Sequence, residues 1–211
     1  MANRGRPQQL ISRRMTFTHG IALITVLVSW SAFSPDAKLR EQLVLRPWRV
    51  TQFREYWRIF THGFIHADWT HLLVNMFVFL QFAPHVEGQW GPNGLLGIYL
   101  GGILFATLPA LRKHSHTPSY GSLGASGGVA SILLAYIFME PLARLYLFFV
   151  IPLPAWAAGI LFFLYESKMQ NRGGTHIAHD AHLYGAIWGL IFAIVTRPEW
   201  MSNWRLLIAD F

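Results

Sequence analysis

The chain has 211 residues, 53% hydrophobic, 15% aromatic and only 13% charged, where an ordinary soluble domain is about 25% charged. That balance excludes a disordered or solvating acidic chain, and apolar residues in unbroken runs argue against a water-soluble single domain. The net charge of +7 is spread out, which suits anionic lipid headgroups and not a nucleic-acid footprint, and the absence of cysteine excludes disulfides, a thiolate nucleophile and Cys-based metal sites.

One bilayer crossing takes about 20 mostly apolar residues, so this length holds about six. The expected fold is all-α: a polytopic membrane protein with a six-transmembrane-helix bundle over residues 17–196. A cytoplasmic amino-terminal tail (1–16) precedes it and a carboxy-terminal tail (197–211) follows. The amino-terminal residues are polar, with Arg4, Arg6, Arg13 and Arg14. The apolar run after them is too long for a signal-peptide core and lacks a cleavage site, so no cleavable signal is expected.

The first predicted crossing runs from Phe17 to Phe33. An amphipathic stretch from Asp36 to Ile65, rich in Arg, Trp and Phe, reads as lying in the headgroup region. The second crossing spans Ala67 to Ala83 and is expected to stop at Pro84. The third spans Gly94 to Leu111, before a polar Arg112-Lys113-His114 loop. The fourth starts within Gly121–Ser126 and reaches Met139. The fifth, Leu142 to Tyr165, carries Pro152 and Pro154 and is expected to kink there. The sixth runs from Asp180 to Thr196, closed by Pro198.

Arginines before the first crossing favour a cytoplasmic amino terminus. That topology, however, leaves 7 Lys and Arg inside and 10 outside, so charge alone does not decide the orientation.

Polar side chains inside such helices cost several kcal/mol and mark function by default. His71 and Asn75 open the second crossing, Ser126 the fourth and His182 the sixth. These crossings run in the same direction, so all four residues fall at similar depth on one side. From Ser126 to Met139 is 14 residues, roughly 21 Å of helix, against a hydrocarbon core of about 30 Å. Ser126 therefore lies below the surface. It is reached by non-helical backbone that is tolerated only under protein or beside water. A wet pocket within the membrane is expected.

In that pocket Ser126 is a candidate nucleophile and His182 its candidate base. Free backbone N–H groups at a helix start can hold an oxyanion. His71 and Asn75, spaced i, i+4, can aim donors at the same charge. Gly127, Gly128, Gly185 and Gly189 form small-residue faces that let the fourth and sixth helices approach closely. Taken singly, each feature reads as ordinary helix packing or a polar clamp. Their co-location is what points to catalysis.

The ordered set Trp57-Arg58, His62, His66, His71-x-x-x-Asn75, Val86-Glu87, Gly124-Ala125-Ser126-Gly127 and Ala181-His182-x-x-Gly185-x-x-x-Gly189 resembles the rhomboid family of intramembrane serine proteases. The resemblance covers Trp57 to Gly189. It implies a six-helix core, a cytosolic amino terminus and an active site opening outward. It also implies a Ser126–His182 catalytic dyad, with His71 and Asn75 joining the Ser126 N–H in the oxyanion hole. No metal and no cofactor are implied. The family lacks a third acid, and Asp180 is not promoted to one. Trp57, Arg58 and Glu87 match positions that shape the first loop and the turn between helices two and three. One departure is Ala130, where some bacterial members carry an aromatic ring stacked on the histidine. Phe64 or Trp188 are the expected substitutes.

Implied substrates are single-pass membrane proteins, cut near the outer end of their helix. The expected location is a lipid bilayer, taken as the bacterial inner membrane, and no oligomeric state is legible. Two alternatives remain. One is a histidine-rich metal- or haem-binding membrane protein using His176, His179 and His182 or His62, His66 and His71, although no carboxylate accompanies these clusters at ligand spacing. The other is a catalytically inactive rhomboid-like binding protein.

Overall fold

The computed structural model describes residues 16–34, 38–147, 150–172 and 179–209. The arginines of the amino-terminal tail and His176 lie outside these. Helix α1 (Phe17–Ala32) matches the first predicted crossing. Its opening N–H groups have no partner within the helix, and a distant carboxylate takes them. Phe17 N–H donates to Glu87 Oε1 (2.9 Å) and Thr18 N–H to Oε2 (2.8 Å). Glu87 thus caps α1, where the sequence suggested a part in the turn between helices two and three.

The amphipathic stretch folds into three short helices, α2 (Lys38–Leu43), α3 (Pro47–Phe53) and α4 (Arg58–Thr61), and a 3-10 turn (His62–Phe64). Buried Arg58 ties them together. Its guanidinium donates to Glu55 (2.5 Å) and to the carbonyls of Glu41 (2.7 Å) and Val44 (2.8 Å). Glu55 also accepts two hydrogen bonds from Arg49. Bonding to Arg49, and then to Arg58, outweighs burial and pulls its carboxyl down to about 2.

Helix α5 (Trp69–His114) contains the second and third predicted crossings as two limbs. The first limb does not stop at Pro84. It runs on to bury Val86 and bring Glu87 to α1. The break falls at Gly91, whose φ of 70° and ψ of 179° suit only glycine, and Pro92 then starts the second limb where its missing N–H costs nothing. The Arg112-Lys113-His114 segment is helical, not a loop.

Helix α6 (Ser126–Met139) is the predicted fourth helix and the most deeply enclosed one, with 11 of its residues buried. The fifth segment departs from expectation. Its first part is a hairpin of β1 (Arg144–Leu147) and β2 (Ile151–Pro154), antiparallel with Leu147 opposite Ile151. Pro152 and Pro154 push the residues before them into extended backbone, and a two-stranded ribbon tolerates their missing donors where a helix interior would not. Only then does α7 (Ala155–Arg172) begin, and it passes Tyr165 by two turns.

Helix α8 (His179–Thr196) matches the sixth crossing. In the carboxy-terminal segment α9 (Met201–Ala209) follows a 3-10 turn. Asn203 and Trp204 donate to the end carbonyls of α6 at Met139 (2.9 Å) and Phe138 (3.0 Å).

The second limb of α5, α6 and α8 meet at small residues. A Cβ on Gly185 would collide with the Gly127 carbonyl, one on Gly189 with the Ser131 carbonyl, and one on Gly102 with the Ser131 side chain. The outer faces are apolar: Leu23, Ile24 and Leu27 on α1, Leu73 and Phe77 on α5, Leu161 and Leu164 on α7 are exposed. Among the described helices, Trp69–His114 is long and apolar enough to cross a membrane.

Candidate active site

Ser126 opens α6, and the backbone leading to it is held from the first loop. Leu45 and Ser122 exchange two hydrogen bonds of 3.0 Å. Gly124 N–H donates to the His62 carbonyl (2.9 Å) and Ala125 N–H to His66 Nε2 (3.3 Å). The tautomer of buried His66 follows from its neighbours. The Ser29 hydroxyl donates to the Phe64 carbonyl (3.0 Å), so its oxygen accepts from His66 Nδ1 (2.9 Å), leaving Nε2 as acceptor. Gly124 has φ +124°, and a Cβ there would stand 2.7 Å from the His71 ring. Glycine at this position lets both the turn and the imidazole fit.

The first limb of α5 supplies the second group. Asp68 caps it, accepting the His71 N–H at 2.8 Å. The His71 ring meets His66 edge to face, with centroids 4.9 Å apart. Asn75 is buried, and its amide gives one hydrogen bond to the His71 carbonyl (2.9 Å). An amide nitrogen carries two hydrogens, so the second remains for the cavity.

Helix α8 brings His182. Its Nδ1 lies 3.1 Å from Glu166 Oε1 on α7, and the other carboxylate oxygen lies 2.6 Å from Nδ1 of buried His179. Asp180 turns elsewhere, pairing with Lys113 (2.7 Å) and accepting the Ala181 N–H (2.9 Å). Ser126, His182, His71 and Asn75 all line a single cavity of about 1090 Å³, as does Glu166. The structure therefore brings together the four residues singled out as the candidate catalytic and oxyanion groups. At the opening of α6 the N–H groups of the first turn lack partners within the helix. A hydroxyl, an imidazole and several hydrogen-bond donors thus face one space.

Comparison with known proteins gives the family. The model of the Rhomboid domain matches residues 54–199. The chain belongs to the rhomboid family. RHOMBOID-like protein 12, mitochondrial, of Arabidopsis thaliana is 31% identical over 199 residues, which cover 85% of this chain and 57% of that protein. Rhomboid-like protease 5 of Toxoplasma gondii is 27% identical over 165 residues, covering 74% of this chain and 18% of that protein. Human presenilin-associated rhomboid-like protein, mitochondrial, is 28% identical over 131 residues, covering 60% and 34%. This rhomboid chain spans little more than half the length of the Arabidopsis relatives it matches (57% and 54%). Rhomboids are membrane proteins. Mitochondrial names among the relatives give no support to a bacterial inner membrane.

Three readings of this rhomboid sequence change. Neither Phe64 nor Trp188 replaces the aromatic ring missing at Ala130. Phe64 meets Tyr99 and Trp188 stacks on Phe105, while the His182 ring meets His179. A carboxylate does accompany the histidines: Glu166 comes from another helix, where sequence spacing cannot see it. His66, read as part of a motif and of a histidine cluster, fixes the backbone before Ser126. The hint for Glu166 was a lone acid following an apolar run, facing two histidines across a short connection.

Proposed function

We propose that this chain is an intramembrane serine endopeptidase that hydrolyses peptide bonds in or near transmembrane segments of single-pass membrane proteins. One observation carries the reading: Ser126, His182, His71 and Asn75, from three helices, line the same cavity. In this mechanism Ser126 Oγ attacks the scissile carbonyl carbon while His182 Nε2 takes the hydroxyl proton. The oxyanion is held by the Ser126 N–H, the free Asn75 amide hydrogen and the His71 ring. As the C–N bond breaks, His182 returns the proton to the leaving amine. Water then attacks the acyl-enzyme by the same route, and the serine is restored.

The membrane setting has its own support. Counted with the two limbs of α5 apart, the long helices are α1, two limbs, α6, α7 and α8. Among the described residues that count supports the six-span bundle expected over residues 17–196. Exposed apolar side chains on α1, α5 and α7 suit lipid tails. The site then opens on the side away from the amino terminus, at the ends of the spans where substrate helices enter.

The metal-binding alternative also has an observation in its favour, since ligand atoms of Glu166, His179 and His182 lie within 4.8 Å of one another. A fluorophosphonate probe separates the readings. It is expected to label the wild type, with or without a chelator, and to leave Ser126→Ala and His182→Ala unlabelled. Labelling that persists in Ser126→Ala sinks the dyad. Wild-type protein that no probe labels favours the inactive binding protein, and labelling lost on chelation favours the metal reading.

A further inference from the structure

We infer that Glu166 is a positioning residue for His182, the third member of a Ser126–His182–Glu166 relay in a chain whose sequence offered only a dyad. The inference rests on the proposed Ser126–His182 chemistry and adds a partner to it. An imidazole serves as base only if the nitrogen facing the serine carries a lone pair, so the other nitrogen must hold the hydrogen. In this protein His182 Nδ1 lies 3.1 Å from Glu166 Oε1. A carboxylate only accepts, so Nδ1 carries the hydrogen and Nε2 is left for the cavity.

Glu166 is itself held. Its Oε2 lies 2.6 Å from His179 Nδ1, and both side chains are buried, at 7% and 3% exposure. Among the described residues buried His179 Nε2 has no hydrogen-bond partner, so its contact with Glu166 is made through Nδ1 alone. The Glu166 carboxylate faces the imidazolium that forms when Ser126 gives up its proton.

The carboxylate on α7 fixes the rotation and the tautomer of the His182 ring. Asp180 does not compete, because Lys113 holds it. From the α5 side the titratable group facing His182 is His71.

The test is cleavage of a model single-pass substrate by the purified full chain, with kcat and KM measured from about pH 5 to 9. A glutamine at position 166 can turn its NH2 toward His182 Nδ1 and stabilise the wrong tautomer. Glu166→Gln is therefore expected to lower kcat roughly 10²-fold with KM within about twofold. The acid limb of its kcat/KM profile moves to lower pH, because the imidazolium loses its counter-charge. Glu166→Asp is expected to recover part of the rate. Wild-type kcat and acid limb in Glu166→Gln would overturn the role. So would a loss that vanishes once rates are divided by probe-counted active sites with the limb unmoved, since a purely structural tie between α7 and α8 gives that result. Ser126→Ala, run in parallel, keeps the two readings apart. Cleavage surviving there overturns dyad and relay together, whereas cleavage lost there but intact in Glu166→Gln overturns the relay alone.

Discussion

A buried asparagine that has already given one amide hydrogen to its own helix has one left to give. For Asn75 the bond spent is the one to the His71 carbonyl, and the cavity receives the other. Asn75→Ala is expected to lower kcat by about 10² to 10³ with little change in KM, the signature of a donor used only in the transition state. Steady-state kinetics on a model substrate check it, and a rise in KM at constant kcat would assign Asn75 to plain substrate binding. At this scale much was legible. Ser126, His182, His71 and Asn75 stood out because polar groups are scarce in apolar helices. Glu166 did not, because the fifth crossing was drawn to end at Tyr165 and helix α7 carries on past it. Chain distance from Glu166 to the serine it serves also hides the link, which only the packing of α7 on α8 reveals.

Elements place these residues through contacts too close for any side chain. Gly185 lies against the Gly127 carbonyl and Gly189 against that of Ser131, about one turn and two turns beyond His182. Gly189→Val cannot be absorbed by a flexible neighbour, because the obstacle is backbone. Overpacking of this kind costs about 1–3 kcal/mol or more, and it parts α8 from α6. Thermal unfolding should show a lower Tm, and fluorophosphonate labelling of the folded protein should slow. A valine variant with wild-type Tm and labelling rate would contradict the close approach. The sixth and fourth helices were readable because their apolar runs have clear ends. Segment 142–154 was not, since a short apolar run is compatible with either helix or strand and its prolines were read as a kink. Pro84 misled in the opposite direction: it signals a stop locally, but the burial of Val86 and the capping of α1 by Glu87 keep the helix going.

Across the whole molecule, the first loop braces the site, and its titration links stability to pH. Among the described residues the buried His62 ring finds no hydrogen bond of normal geometry, and burial pushes it down to about 4, with the Ile59 carbonyl pulling weakly back. Between its ordinary 6.5 and about 4, the unfolded chain binds a proton that the folded one refuses. His62 therefore favours folding fully above pH 6.5, and roughly 3 kcal/mol is lost as the pH falls to about 4. Glu55, held down to about 2, adds a further loss between about 4.5 and 2. Melting temperatures from pH 8 to 4 should fall for the wild type and fall less for His62→Leu. Parallel curves would remove His62 from the account. The mostly helical, apolar character of the chain was readable from hydropathy and chain length alone, but its inside and outside faces were not.

The central claim is that Ser126 is a nucleophile inside a membrane-embedded cavity. The most direct measurement is cleavage of a model single-pass transmembrane substrate by the purified protein reconstituted in lipid, wild type beside Ser126→Ala. The account predicts two product bands from the wild type, formed equally well in the presence of a chelator, and none from the variant. Cleavage that continues in Ser126→Ala would contradict it.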